Sequence, residues 1–310
     1  MGFVLPARAL ANQDLHPLFL NETVSNYKKL FYIKGDPTFI KTDFWQSMSW
    51  KPAKKSHSDL LNSSLFSTIE KTYTAFCDNA LSSLDYVTPP QTSKIPPILH
   101  FIWLGSQLPL FAKLSIQSWQ MQHPGWEIKL WDDVAVETFQ WSDTRCKNNF
   151  YQASLFAEKA DILRYEILYQ YGGIYSDTDV VCLKPFHHLL TENLEFFTGI
   201  ETNNTPLHVA TGIIGASKGS DLLKYCIDHH MGKLEAPDVT ILERTGPALF
   251  SLACNHILSS KTTPNNHLVL PVTYFYPLPF KNRNIPIDQV QDYIQKESMA
   301  IHLWNSSWLQ

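Results

Sequence analysis

Little in this chain is of the kind that marks a membrane-spanning, disulfide-built or polymer-binding protein. Cysteine is scarce: Cys77, Cys146, Cys182, Cys226 and Cys254 are the five in 310 residues, and no two stand at C-x-x-C spacing. That excludes a sequence-evident zinc ribbon or disulfide frame and leaves buried reduced thiols as the expectation. Charge is nearly balanced, with 25 Lys plus Arg against 29 Asp plus Glu for a net of −4, and long basic runs are missing. A nucleic-acid polymer is therefore not expected as a partner, because phosphate contacts need clustered cations. No apolar run approaches the roughly 20 residues that span a bilayer. Met1 to Leu10 lacks the apolar core of a signal peptide, and Gly2 lacks the Ser or Thr of a myristoylation signal. The expectation from these absences is a cytoplasmic, soluble protein with no transmembrane segment.

What is present suits a globular fold. Hydrophobic residues make up 44% and charged ones 17%, enough to bury a sizeable core. Aromatics are plentiful, with 9 Trp, 13 Tyr and 18 Phe, and a few left exposed would suit stacking on sugars or bases.

The texture changes near residue 93. Before it, a Ser-, Lys- and Pro-rich stretch at 47–58 reads as a loop. Apolar residues at helical spacing then run from Asp59 to Leu84, until Thr88-Pro89-Pro90 stops the turn. Residues 1–93 are thus expected to form a mostly helical N-terminal region, and 94–310 an α/β domain. Ile98 to Leu104 predicts a buried parallel strand, Ala112 to Gln120 a helix, and Trp126 to Trp131 a second strand, together a βαβ unit. A long helix is predicted over about Gln152 to Tyr171, with Leu155, Phe156, Ala160, Leu163, Ile167, Leu168 and Tyr171 on one apolar stripe. Gly172-Gly173 stops it, since glycine accepts the left-handed conformation. Ile174-Tyr175 and Val180 to Leu183 predict strand on either side of an acidic tripeptide. Later strands are predicted near 196–200, 209–216 and 268–271.

That tripeptide, Asp177-Thr178-Asp179, carries the chemical signal. Side chains at i and i+2 of an extended segment share a face, and a bend there brings both carboxylates to one hard cation. Mn²⁺ or Mg²⁺ takes oxygen ligands and shares phosphate oxygens with a substrate. A lone Asp-x-Asp is common in solvated turns. Here the preceding helix presents Asp161 and Arg164 three residues apart on one face, and Gly172-Gly173 turns the chain sharply between them.

The order Asp161-Ile162-Leu163-Arg164, then Gly172-Gly173-Ile174-Tyr175, then Asp177-Thr178-Asp179 resembles the sugar-binding Asp-x-Asp region of glycosyltransferase family 32, the group of the initiating mannosyltransferases. It is also similar to the clostridial glucosylating toxins, which share the GT-A fold. Ile98 to Gly105, Pro124-Gly125-Trp126-Glu127, Thr245-Gly246-Pro247 and Ile301-His302-Leu303-Trp304 with Ser307-Trp308 match further pieces. The resemblance covers roughly 94–310 and implies a GT-A fold, a Rossmann-like mixed sheet flanked by helices.

Residue by residue, the resemblance implies that Ile102 and Trp103 pack on the base of a UDP- or GDP-sugar donor. Asp161 and Arg164 would hold the donor sugar. Asp177 would touch the ribose or the metal shell, and Asp179 would bind the metal. His302, Ser306 or Ser307 would complete that shell, and Trp308 would donate its indole N–H to a phosphate. The implied activity is a metal-dependent, retaining hexosyl or N-acetylhexosaminyl transfer to an acceptor hydroxyl on a glycan, lipid or protein. Without a membrane anchor it fits a bacterial enzyme for surface glycans, or an effector delivered into a host cell. Where relatives carry Asn, Thr211-Gly212 stands. Two other readings of the same residues stay open: a non-catalytic sugar-nucleotide binder, and a haloacid-dehalogenase-like phosphohydrolase with Asp177 as nucleophile.

Overall fold

The computed structural model describes residues 3–4, 68–69, 71, 93–202, 208–260 and 266–305. The helix expected over 59–84 lies mostly outside them. Within it Thr68, Ile69 and Lys71 are helical, and Ile69 is fully buried against the domain core.

Nine strands and eight α-helices follow one another among these residues. Strand β1 (Phe3–Val4) precedes β2 (Ile98–Ile102), α1 (Leu110–Gln122), β3 (Glu127–Trp131), α2 (Asp133–Glu137), α3 (Thr144–Gln152) and α4 (Phe156–Tyr171). Then come β4 (Gly173–Ser176), β5 (Val180–Cys182), β6 (Phe196–Thr202), β7 (His208–Ala216) and α5 (Asp221–His229). Helices α6 (Ile241–Arg244) and α7 (Pro247–Ser260), strand β8 (His267–Leu270), helix α8 (Val272–Phe275) and strand β9 (Ala300–His302) complete the chain.

The main sheet has seven strands in the order β1-β3-β2-β4-β7-β6-β8. Strands β3, β2 and β4 are parallel, β6 and β8 are parallel, and β7 runs against both β4 and β6. The expected α/β class, a mixed sheet flanked by helices, is the one observed. Its direction pattern sets the site. The C-terminal ends of β2, β4 and β6 and the start of β7 open on one edge, the edge at which open α/β sheets bind ligands.

Both faces of the sheet are covered, and the pleat explains how. Successive side chains point to opposite faces, so Tyr175, Phe196 and Ile214 join the core under α4, α5 and α7. Their neighbours Ile174, Phe197 and Ile213 join the core under α1 and α8. Each fully buried side chain of this size contributes about 2 kcal/mol relative to exposure.

The turn into β4 depends on two glycines. Gly172 ends α4 at φ +65° and Gly173 follows at φ +104°. A Cβ on Gly173 would stand 2.6 Å from the Ile98 carbonyl oxygen. His100 fastens this turn by donating from Nε2 to the Gly172 carbonyl at 2.8 Å, while its Nδ1 accepts from the Trp131 indole at 3.2 Å. Those two partners define a neutral tautomer.

Two expectations are corrected. The helix expected from Gln152 begins at Phe156: Ala153 and Leu155 are extended and separate α4 from α3. The sequence hid α3 because it buries only Cys146, Asn149 and Phe150; its start is fixed by Asp143, whose carboxylate accepts from the Arg145 and Cys146 amides. The apolar stripe also fails at its ends, where Leu155, Phe156 and Tyr171 are exposed while Asp161, Arg164 and Glu166 are buried. In addition, Val180 to Cys182 does not continue the main sheet; it pairs antiparallel with β9 in a separate two-stranded sheet.

Candidate active site

A cleft of about 500 Å³ lies at that sheet edge, lined from β2 by Ile102 and Trp103, from α4 by Asp161 and Arg164, and from the β4–β5 turn by Asp177 and Asp179. Thr211, Gly212, Glu201, Tyr276, His302 and Trp304 face the same space. The sequence-predicted residues inside the described range therefore converge. Ser306, Ser307 and Trp308 lie outside the described residues.

Arg164 is the hub. It is 5% exposed, donates from Nη1 to the Thr211 carbonyl at 2.6 Å and from Nε to the Ala160 carbonyl at 3.2 Å. Its Nη2 lies 3.2 Å from Asp161 and 3.6 Å from Asp177, and Tyr175 stacks under the guanidinium at 4.6 Å. Most of its N–H donors are thus engaged within the protein, which makes Arg164 a holder of two carboxylates more than a free hand for substrate.

Burial dominates Asp161, pushing its carboxyl up to about 7 against the pull of Arg164. The Thr245 hydroxyl donates to it at 3.2 Å, which places the Thr245-Gly246-Pro247 motif beside the Asp161–Arg164 pair. Near neutrality Asp161 can both donate and accept, a useful property opposite a sugar hydroxyl.

The two acidic residues of the motif do not sit on a strand. They occupy a turn closed by the Val180 amide on the Asp177 carbonyl at 3.2 Å, and that bend turns both carboxylates into the cleft. Asp177 takes the Tyr175 hydroxyl on Oδ1 at 2.6 Å, leaving Oδ2 toward Gly212. A Cβ on Gly212 would stand 2.9 Å from that oxygen and 3.2 Å from the Tyr276 hydroxyl, so only glycine leaves the carboxylate its place. Burial raises the Asp177 pKa, with Arg164 opposing and Asp179 adding to the rise.

Asp179 is bound to the C-terminal segment. Its Oδ1 accepts from His302 Nε2 at 2.9 Å and its Oδ2 from the Asn305 amide at 2.9 Å. Although burial works against its charge, the His302 imidazole holds the carboxyl below its ordinary value. His302 is raised in turn: burial lowers it, but the Asp179 carboxylate more than offsets that. Trp304 stacks on His302 at 3.9 Å and donates to the Leu278 carbonyl at 2.8 Å. It does so at φ +56°, uncommon for a bulky residue, and this turn aims the Asn305 amide at Asp179.

One ligand atom from each of Asp177, Asp179 and His302 lies within 4.8 Å of the others. Two carboxylate oxygens and an imidazole nitrogen suit a divalent cation such as Mn²⁺ or Mg²⁺ sharing its remaining positions with phosphate. Asp179 adds to the rise that burial gives Asp177, and a cation bound between them would offset both.

Trp103 lines the same cleft just after β2, edge-on to Phe111 at 5.9 Å, with its indole N–H on the Ser106 hydroxyl at 3.3 Å. Sequence reading missed three residues here. Tyr175 was legible in principle, since it stands two before Asp177. Glu201, an acid closing the apolar run 196–200, gave a weak signal. Tyr276 gave none, because its place depends on α8 packing across β6.

Residues 111–195, which carry the Asp-x-Asp pair and the buried Asp–Arg hub, match the family described as glycosyltransferase sugar-binding region containing DXD motif. The particular likenesses are narrower. The chain is 28% identical over 171 residues to inositol phosphoceramide mannosyltransferase 3 of Schizosaccharomyces pombe, across 52% of this chain and 45% of that protein. It is 27% identical over 227 residues to an uncharacterized glycosyltransferase, L373, of Acanthamoeba polyphaga mimivirus, across 69% of this chain and 84% of that one. This chain thus spans less than half of the fission-yeast relative's length. Among solved structures, the catalytic domain of alpha-toxin from Clostridium novyi superposes with TM-score 0.47 at 10% identity, over 99% of this chain and 97% of that domain, too loosely to bear on the site. Among the described residues no helix is long and apolar enough to cross a membrane.

Proposed function

We propose that the chain is a metal-dependent, retaining glycosyltransferase that moves a hexose or N-acetylhexosamine from a UDP- or GDP-sugar to an acceptor hydroxyl. The observation that carries this reading is the meeting of Asp177, Asp179 and His302 within 4.8 Å, beside the buried Asp161–Arg164 pair and in one cleft.

In this reading Ile102 and Trp103 pack on the base, and Asp161 hydrogen-bonds the sugar while Arg164 holds its carboxylate in place. Asp177 and Asp179 carry the cation, with His302, Ser306 or Ser307 completing its shell, and Trp308 donates to a phosphate oxygen. When bound, the cation neutralises charge on the departing nucleoside diphosphate. The protein's own part is orientation and exclusion of water. Arg164 and Tyr175 fix Asp177 before substrate arrives, so no reorganisation is needed as charge separates. Because His302 and Asn305 both bond Asp179, residues 302–305 are held beside the acidic turn, where in this reading they would shield a bound diphosphate from water.

The test is incubation of pure protein with a panel of UDP- and GDP-sugars under Mn²⁺, Mg²⁺ or EDTA. Cation-dependent release or transfer of one sugar, with the product anomer read by NMR, supports the proposal. Binding without turnover points to a sugar-nucleotide binder instead, and phosphate release from phosphomonoesters points to a hydrolase using Asp177.

A further inference from the structure

Glu201, one residue before the end of β6, lines the cleft, and among the described residues its carboxylate has no hydrogen bond or ion pair. It belongs to no ligand cluster: the cation set comprises Asp177, Asp179 and His302 without it. Beside it the Tyr276 phenol is buried at 1% exposure, and its hydroxyl donates to no acceptor among the described residues, with the Ile213 amide as its one backbone neighbour. Both carboxylates, Asp177 and Glu201, act on that phenol. A half-buried carboxylate facing the cleft, next to a buried hydroxyl without a full partner, marks a place where a ligand supplies partners.

Topology says which ligand. Along the sheet edge the order is β2, β4, β7, β6. In the donor reading the base stacks on Trp103, which follows β2; the acidic pair follows β4, and Glu201 lies near the end of β6, at the far side from the base. Resting on the donor reading above, this end belongs to the acceptor. A carboxylate offers only acceptor oxygens, two of them side by side. It therefore matches two neighbouring hydroxyls of one molecule, and it repels an anionic group, more so with Asp177 close by.

The geometry points to Glu201 as the acceptor-binding residue, and to a neutral polyol with vicinal hydroxyls, a sugar ring, as the acceptor class, in preference to a single side-chain hydroxyl of a protein. Glu201 takes the two hydroxyls and thereby directs one ring oxygen toward the transferred sugar. Tyr276 holds the floor beneath.

The experiment is saturation-transfer NMR on the full chain with Mg²⁺ and UDP or GDP. The probes are neutral methyl hexopyranosides, their monodeoxy analogues, methyl glucuronide and N-acetylserine amide. A hexopyranoside should bind wild type, with deoxygenation of the vicinal pair, Glu201→Ala and Glu201→Gln each weakening it about tenfold or more. The glucuronide and serine amide should not bind. Equal binding to wild type and both variants, no hexopyranoside bound by wild type, or serine amide bound as well as the sugars overturns the inference. Nucleoside diphosphate binding is followed in parallel by tryptophan fluorescence. Loss of that binding in both Glu201 variants would assign the residue to the donor side and also overturn it. If wild type binds no nucleoside diphosphate yet holds the sugars through Glu201, the donor reading fails and the Glu201 site stands.

Discussion

Replacing Arg164 by Met tests whether the site is held as described. The guanidinium is buried between Asp161 at 3.2 Å and Asp177 at 3.6 Å and donates to the Thr211 and Ala160 carbonyls. Methionine fills similar volume but leaves the carboxylates without a counter-charge, and breaking a buried pair costs about 3–5 kcal/mol. That loss divides by pH. The two carbonyls lose their donors at every pH, about 1–2 kcal/mol together. The carboxylate part depends on ionisation. Asp161 already titrates at about 7, raised by burial despite Arg164, so below pH 7 it is neutral with or without the cation. Without Arg164 its folded pKa rises further above the unfolded value. A group raised in this way gives stability that is present at low pH and lost as pH climbs through the folded pKa. The deficit of Arg164→Met should therefore be small at pH 6 and grow above pH 7 by roughly 1.4 kcal/mol per unit for each carboxylate still neutral in the fold. Urea denaturation at pH 6 and pH 9 measures it, and adding Asp161→Asn should return part of the alkaline loss. A deficit under about 1 kcal/mol, or one that does not change with pH, would refute the hub.

Three more outcomes follow from single contacts. Asp179→Asn should abolish cation binding and turnover while costing only about 1–3 kcal/mol, because the amide oxygen still accepts from Asn305 but loses the charged His302 partner; Mn²⁺ titration and thermal melts check both. Gly212→Ala puts a methyl group 2.9 Å from Asp177 Oδ2, whose carboxylate is fixed by Tyr175 and Arg164, so activity should fall at least tenfold for a stability cost of about 1–3 kcal/mol. His100 is held neutral, its pKa lowered to about 3 by burial, so its share of stability is complete above about 6.5 and lost as pH falls toward 3. Unfolding free energies from urea titrations at pH 7 and pH 5 should differ by roughly 2 kcal/mol on its account, and His100→Asn should flatten that slope.

How much of this was legible beforehand depended on the range of the cause. The strands of the main sheet were readable because a double-sided buried sheet demands continuous apolar runs, and Ile174-Tyr175, Phe196-Phe197 and Ile213-Ile214 supply both faces at once. The Asp161–Arg164 pair was readable because helical spacing alone makes the two neighbours. Helix α3 was not, since three buried residues leave no stripe. The pairing of β5 with β9 joins residues more than a hundred apart and has no local signature. For the same reason the role of Asn305 as a backbone donor to Asp179 could not be seen: a backbone amide leaves no mark in a sequence. Glu201 and Tyr276 meet only because β6 lies beside β7 and α8 packs on β6.

If the chain acts as proposed, the charges around the cleft should make a cation necessary for binding the donor. Asp161, Asp177, Asp179 and Glu201 line it, against Arg164 as the permanently charged cation among the described lining residues, and that cation is already bound to two of the acids. Ser306 to Gln310 contain no basic residue. A diphosphate entering such a space meets like charge at a distance where each unit pair costs about 4 kcal/mol at an effective dielectric of 20. A divalent ion at Asp177 and Asp179 reverses that sign, so donor binding itself, and not the transfer step alone, should require it. Calorimetry with UDP and GDP should give no measurable binding in EDTA and clear binding with Mg²⁺, and Asp179→Asn should behave in Mg²⁺ as wild type does in EDTA. Equal affinity with and without the ion would mean that cations other than Arg164 meet the diphosphate, and the placement of the phosphates at the acidic turn would have to be given up.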